Sequence, residues 1–102
     1  MIDLPPEQLA LVRRILAREL PGVPVRAFGS RVDGTARPHA DLDLAVMDAG
    51  PLPLERLFRL QDAFEESTLP IRVDVSDWHR LPQGLRAAVL ERGEPIQPPA
   101  DE

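Results

Sequence analysis

The sequence contains no cysteine, and this absence excludes both a disulfide framework and a zinc site built from thiolates. Lysine is absent as well, so all 12 basic residues are arginines. Any cationic side chain that binds phosphate in this protein must therefore be an arginine, whose planar guanidinium can contact two oxygens at once. A genome-wide preference for arginine codons explains the same composition, and composition alone leaves both explanations open.

Long apolar segments and a basic surface are also missing. No run is long and apolar enough to span a membrane, and the N-terminus lacks the basic, apolar pattern of a signal peptide. We therefore expect a cytoplasmic protein without membrane contact. Acidic residues number 17 against 12 basic ones, and the net charge of −5 argues against direct binding of nucleic acid. An acidic protein can still bind a nucleotide where metal ions supply the positive charge.

The length of 102 residues fits one domain. We predict a domain over residues 1–97, followed by a disordered tail over residues 98–102. The spacing of apolar residues predicts an α/β (α+β) architecture, a small mixed three-stranded sheet flanked by about four helices. The predicted helices span about 6–20, 30–33, 54–67 and 83–91, and the predicted strands span 25–28, 41–47 and 71–75.

The first candidate feature is the pair Gly29-Ser30, which ends a predicted strand and enters a helical turn. Glycine lets the backbone approach a ligand closely, and the free N–H groups of a helix start can bind phosphate oxygens together with the Ser30 hydroxyl. The alternative is a plain turn in which Ser30 caps the helix. Taken alone, the pair favours this alternative, because serine caps are common.

The second feature is a set of carboxylates on predicted strands. Asp41 and Asp43 lie two residues apart, so they point to the same face at a separation of roughly 6–7 Å, while Leu42 and Leu44 point to the core. Like charges on one strand face repel each other and need a cation such as Mg²⁺. If the strand of Asp74 lies beside them, three carboxylates can hold two metal ions about 3.5–4 Å apart. The alternative is a solvated strand face.

The combined pattern is more specific than its parts. Gly29-Ser30 is followed by ten residues, then by Asp41-x-Asp43, and later by the isolated strand residue Asp74. This pattern resembles the minimal nucleotidyltransferases of the DNA polymerase β-like nucleotidyltransferase superfamily. The resemblance covers almost the whole chain, and every position of the family motif is matched.

The resemblance implies a role for each motif residue. The turn Gly29–Ser30 would bind the β- and γ-phosphates of ATP, and Arg31 could also reach a phosphate, the alternative being a surface arginine. Asp41 and Asp43 would bind two Mg²⁺ ions. Asp74 would bind the catalytic ion and help activate an incoming hydroxyl.

Many minimal members of this family resemble antitoxins that pair with a small helical toxin of the HEPN type. The resemblance therefore implies an antitoxin that transfers AMP from ATP to a hydroxyl of its partner, a tyrosine above all. Two alternatives stay open: an antitoxin that neutralises its partner by binding alone, and a structural or regulatory domain without nucleotide. His39, near the motif, could touch a phosphate or act in proton transfer, the alternative being a solvated loop histidine. Trp78 could anchor a partner surface, the alternative being an apolar lid on the core.

Overall fold

Helices and strands follow one another along the chain much as the sequence predicts. The computed structural model describes residues 1–100 and places a mixed sheet between helices that pack on its two faces. The helices are Pro6–Glu19 (α1), Ser30–Asp33 (α2), Leu54–Glu65 (α3) and Gln83–Arg92 (α4), with a 3₁₀ turn at Trp78–Arg80. The strands are Val25–Phe28 (β1), Leu42–Val46 (β2), Val73–Asp77 (β3) and Glu94–Gln97 (β4).

The sheet has four strands in the order β3-β2-β1-β4, so the prediction of three strands is corrected by one. The additional strand, β4, pairs antiparallel with β1 at the edge of the sheet. It is short and contains Pro95, and Ile96 is its buried residue. Proline cannot donate to the ladder and is tolerated on edge strands. With a proline and a single buried residue, β4 lacks the alternating pattern by which strands are predicted. The fold class and the four predicted helices are confirmed.

Pairing with β2 determines where β3 lies. The two strands run parallel, in a register that extends from the pair Leu42 and Val73 to the pair Val46 and Asp77. The predicted strand therefore begins and ends slightly too early in the sequence. β3 ends at Asp77 because its carboxylate accepts a hydrogen bond from the His79 N–H over 3.0 Å and starts the 3₁₀ turn.

One face of the sheet carries the main core, which α1 and α3 cover. Because side chains alternate along a strand, every second residue of β2 and β3 points to this face, and all of these are apolar except Asp77 at the end of β3. Both helices present a stripe of apolar residues at helical spacing. The central core residues are Val12, Ile15, Leu16, Leu42, Leu44, Val46, Leu60, Phe64, Val73 and Val75.

The opposite face is covered by α4 and the 3₁₀ turn over part of its area. Phe28, Ala45 and Val89 form a small buried cluster there, and the half-buried Trp78 packs against it as a lid, as predicted. The Arg86 guanidinium lies 5.3 Å from the centroid of the Trp78 ring, a cation–π distance. The rest of this face is open, and the polar residues of β2 and β3 point toward it.

The predicted tail lies partly outside the part of the chain that the structure describes. Residues 98–100 form no regular element, although the Ala100 N–H donates to the Gly22 carbonyl oxygen over 3.2 Å. Residues 101 and 102 lie outside the described residues, and the domain extent of 1–97 stays a prediction. No helix within residues 1–100 is long and apolar enough to cross a membrane.

The outer edge of β3 is covered by one side chain of α3. The Gln61 amide donates to the Val73 carbonyl oxygen over 2.7 Å and accepts from the Val75 N–H over 3.2 Å. These two backbone groups lie on either side of Asp74. The side chain thus takes the place of a neighbouring strand where β3 would otherwise be unpaired.

We expect Gln61→Leu to lower the free energy of unfolding by about 1–3 kcal/mol, because two backbone groups lose their partners. Urea unfolding would measure the change, with Gln83→Leu on the exposed side of α4 as a matched control that should shift by less than about 0.5 kcal/mol. Equal losses in the two variants would mean that the contacts of Gln61 contribute nothing specific.

Candidate active site

The candidate site begins where β1 ends, at Gly29. Its φ of +80° and ψ of −154° form a backbone conformation that is nearly confined to glycine. A Cβ atom placed on Gly29 would lie 2.5 Å from Oδ2 and 3.3 Å from Cγ of Asp43. Glycine at this position therefore brings the turn before Ser30 into contact with one of the predicted metal-binding carboxylates.

Asp43 and Asp74 are neighbours on the open face of the sheet. They form a register pair of the parallel strands β2 and β3, while Leu42 and Leu44 are buried on the other face, as alternation predicts. Burial raises the pKa of the Asp43 carboxyl, and the negative charges of Asp74 and Asp41 raise it further. The sheet thus concentrates negative charge that a hard cation with oxygen ligands would neutralise.

Asp41 lies just before β2 and is more exposed than Asp43. Within residues 1–100, no three Asp, Glu or His side chains are close enough to hold an ion together as they stand. The structure therefore brings Asp43 and Asp74 together, whereas Asp41 lies outside the cavity that these two residues line. The donor set still fits Mg²⁺, which takes oxygen ligands and keeps waters and phosphate oxygens in its shell instead of a complete protein cage.

Asp43 and Asp74 form one wall of a cavity of about 270 Å³. The facing wall is α4, whose Leu85, Ala88 and Arg92 lie at helical spacing on the side toward the carboxylates. The cavity is therefore acidic on the sheet side and mainly apolar on the helix side. Its remaining lining residues are Phe28, Gly29, Asp33 and Ser76.

Sequence reasoning missed Arg92, which is the single cation among the residues that line this cavity. Asp33, which also lines this cavity, accepts hydrogen bonds from the Thr35 hydroxyl over 2.5 Å and from the Thr35 N–H over 3.1 Å. These bonds lower the pKa of the Asp33 carboxyl, and the positive charge of Arg92 lowers it further. The sequence does contain one indication of this position: Arg92 lies at helical spacing from Leu85 and Ala88, so the three residues share one side of the helix.

Ser30 lies at the start of α2 and lines a second cavity of about 570 Å³. Gly29 is the N-cap residue of α2, and no side chain makes a cap hydrogen bond there. The alternative interpretation of Ser30 as a plain helix cap is therefore wrong, and its hydroxyl is available to a ligand. Arg37 and His39, which also line this cavity, are exposed, as expected for the histidine.

Arg31 is buried and does not line either cavity. Its guanidinium donates to the backbone carbonyl oxygens of Asp3, Pro38 and Ala40. The alternative of a surface arginine is therefore wrong. The contacts also give no support to the expected phosphate contact, because each of the three guanidinium nitrogens donates to a carbonyl oxygen of the protein itself.

Residues 14–99 match the family model described as polymerase beta, nucleotidyltransferase. The chain is 43% identical over 88 residues to the probable protein adenylyltransferase MntA of Haemophilus influenzae, a match that covers 86% of this chain and 77% of the relative. The protein therefore belongs to the polymerase β-like nucleotidyltransferases, as its motif predicts.

Two solved structures have a similar fold. A toxin–antitoxin complex with AMP-PNP matches with a TM-score of 0.72 and 24% identity, over 92% of this chain and 74% of that chain. A complex of MNT antitoxin with the tri-AMPylated HEPN toxin of Shewanella oneidensis matches with a TM-score of 0.67 and 21% identity, over 90% of this chain and 71% of that chain. At these identities the likeness establishes the fold.

The raised pKa of Asp43 predicts how stability depends on pH in the absence of metal. A carboxyl whose folded pKa lies above its unfolded value of 3.8 contributes stability that is present below that value and lost as pH rises through the folded pKa. Ionised Asp43 therefore destabilises the folded state at neutral pH. We expect Asp43→Asn to raise the unfolding midpoint temperature in EDTA at neutral pH, with a gain that shrinks as the solution is acidified.

Asp41→Asn is the matched control for this experiment, since the exposed Asp41 should change the midpoint less. Adding Mg²⁺ and a nucleotide should stabilise the parent protein and leave Asp43→Asn unaffected. A lower midpoint for Asp43→Asn in EDTA at neutral pH would show that the charge argument is wrong.

Gly29 and Gly34 permit a second matched test, because both have positive φ, at +80° and +85°, and a Cβ on Gly34 would have nothing within 4 Å. Gly29→Ala should abolish Mg²⁺-dependent binding of a non-hydrolysable ATP analogue, since the added methyl group displaces the Asp43 carboxylate. Gly34→Ala should retain binding and lose about 1–2 kcal/mol of stability. Calorimetric titration decides: if both variants bind as the parent does, the contact between Gly29 and Asp43 is not needed.

Proposed function

We propose that this protein transfers AMP from ATP to a hydroxyl of a partner protein and acts in this way as an antitoxin. The observation that carries the proposal is the register pair of Asp43 and Asp74 in contact with the Gly29 turn, in a chain of the nucleotidyltransferase family. The similarity to a relative named as a protein adenylyltransferase supports a protein as the acceptor.

The proposed roles follow the placement of the motif residues. Asp41, Asp43 and Asp74 are the residues that would hold two Mg²⁺ ions, whose chemistry is to neutralise charge on the attacking and leaving oxygens. The free Ser30 hydroxyl and the turn after Gly29 bind the β- and γ-phosphates. Since these groups lie on both sides of one turn, the triphosphate would extend from the carboxylates toward the start of α2.

The reaction joins the acceptor oxygen to the α-phosphorus of ATP. The bond between that phosphorus and the oxygen bridging to the β-phosphorus breaks, and pyrophosphate leaves with this oxygen. Asp74, exposed on its edge strand, accepts the proton of the attacking hydroxyl. The contribution of the chain is mainly to orient the two reactants, which is how phosphoryl-type transfer is catalysed in general.

The expected partner is a small helical toxin of the HEPN type, with a tyrosine hydroxyl as the acceptor. The shared fold with an antitoxin in complex with an AMPylated HEPN toxin supports this choice. The open cavity fits it too, because α4 and the sheet leave the carboxylates accessible to a side chain of another protein. A cytoplasmic location, where ATP is available, is part of the proposal.

The second candidate function is neutralisation of the partner by binding alone. It is favoured by one observation: within residues 1–100, no three acidic side chains are assembled for an ion. In this case the nucleotide site would be retained without transfer. The two candidates differ in whether the partner gains mass.

The test begins with calorimetric binding of AMP-PNP with and without Mg²⁺, which should require the metal and disappear in Asp41→Asn. ATP, Mg²⁺ and the HEPN-type protein of the same genome are then combined, and the partner's intact mass is measured. We expect the mass to increase by one or more adenylates with the parent and to stay unchanged with Asp43→Asn.

Asp62 of α3 is exposed and lines a different cavity beside α1, so it provides the control, and Asp62→Asn should transfer AMP as the parent does. If Asp43→Asn transfers AMP equally well, the role given to Asp43 is wrong. A stable, inactive complex whose partner keeps its mass would instead establish neutralisation by binding alone.

A further inference from the structure

We propose that Arg31 is a positioning residue that closes the loop between Ser30 and Asp41 and so sets the phosphate-binding turn relative to the carboxylates. The motif spacing then has a physical cause, because a buried guanidinium holds both ends of the loop together. The inference rests on the proposed function, since it concerns the same site.

The contacts of Arg31 reach three separate parts of the backbone. Its Nε donates to the Ala40 carbonyl oxygen over 2.9 Å, its Nη2 to Pro38 over 3.2 Å, and its Nη1 to Asp3 over 2.9 Å. The Asp3 N–H in turn donates to the Arg31 carbonyl oxygen over 2.6 Å. One residue therefore fastens the start of the chain, helix α2 and the end of the loop, immediately before Asp41.

The burial of Arg31 shows that these contacts are specific. The residue is 6% exposed, and within residues 1–100 it forms no ion pair. A buried charge is strongly unfavourable unless its donors are satisfied. The rigid fork of a guanidinium can reach three diverging carbonyls, whereas the single ammonium of a lysine on a flexible stem cannot.

The loop has few other restraints. Its backbone bonds join the Thr35 N–H to the Ser30 carbonyl over 3.3 Å and the Ala40 N–H to the Arg37 carbonyl over 3.0 Å, and its residues are mostly exposed. Asp41 lies just outside β2, so the ladder of the sheet does not hold it. The sheet holds the next residue, Leu42, whose N–H donates to the Arg72 carbonyl oxygen over 2.9 Å. Without Arg31, the side of Asp41 toward the loop would therefore lose its main restraint.

The same contacts argue against a direct phosphate contact by Arg31. Gly29 and Ser30 line the cavities beside the turn, whereas Arg31 lines neither of them. Its guanidinium is buried, and all three of its nitrogens already donate to carbonyl oxygens. Arg31 therefore acts on the nucleotide through the residues that it holds in place.

The test compares Arg31→Lys, which keeps the charge, with Arg31→Met, which removes it. The Mg²⁺ concentration that gives half-maximal binding of AMP-PNP to the folded protein should rise by about 10–100-fold in both variants, the usual loss when a group supporting metal ligands is removed. Hydrogen exchange over residues 34–40 should become faster in both. Arg14→Lys and Arg14→Met, exposed on α1 at the far face, should change neither quantity.

Two results would overturn the proposal. In the first, the half-maximal Mg²⁺ concentration of Arg31→Lys equals that of the parent while that of Arg31→Met rises. Arg31 then acts through its charge on the phosphates. If both variants only lower the unfolding temperature and the folded molecules bind as the parent does, its role is merely structural.

A chain that begins at Leu4 covers the case in which the Arg31 variants fail to fold. This chain lacks the Asp3 carbonyl acceptor but keeps Arg31 and the motif. Its half-maximal Mg²⁺ concentration for AMP-PNP binding and its rate of hydrogen exchange over residues 34–40 should rise by a smaller factor. Unchanged values would contradict the proposal. If the parent itself binds no AMP-PNP with Mg²⁺, the proposed function fails, and loop exchange alone then decides whether Arg31 closes the loop.

Discussion

The parallel pairing of β2 with β3 forces two carboxylates, Asp43 and Asp74, to lie side by side, and much of the surrounding structure holds this unfavourable pair in place. The repulsion is visible in the raised pKa of Asp43, to which burial contributes most. The compensating free energy comes from the other face of the same strands, where Leu42 and Leu44 are fully buried. A slip of either strand by one residue would move its carboxylate into the core, so burial on one face secures the register of charges on the other.

The restraints around the carboxylates act through the backbone. Gly29 approaches Asp43 because it has no side chain, Gln61 holds the edge of β3 around Asp74, and Arg31 binds carbonyl oxygens of the loop. Within residues 1–100, neither carboxylate of the pair forms an ion pair. The negative charge of the pair is therefore not neutralised by a cation of the protein itself, which is compatible with the proposed role in holding Mg²⁺.

Those parts of the fold and site are predictable in which polar and apolar residues recur at a regular spacing along the sequence. The alternation in Asp41-Leu42-Asp43-Leu44 predicts both the strand and the faces of its side chains, because each face has one environment. β4 escapes prediction because its single buried residue, Ile96, acquires a partner only when β1 lies beside it. The role of Arg31 escapes for a related reason. Its acceptors are backbone carbonyls, which any sequence provides, so no residue pattern marks them.

The use of arginine in place of lysine also has a structural role, which composition alone does not show. Many of the arginines donate to backbone carbonyl oxygens that hold loops and chain ends together, a task for which lysine is a poor substitute. The number of arginines is therefore no measure of phosphate contacts, and Arg92 is distinguished by its place in the carboxylate cavity and not by its residue type. Under the proposed function, a guanidinium opposite Asp43 and Asp74 would meet the negative charge of the triphosphate. The arginines that bind the backbone instead are Arg13, Arg26, Arg31, Arg80 and Arg86.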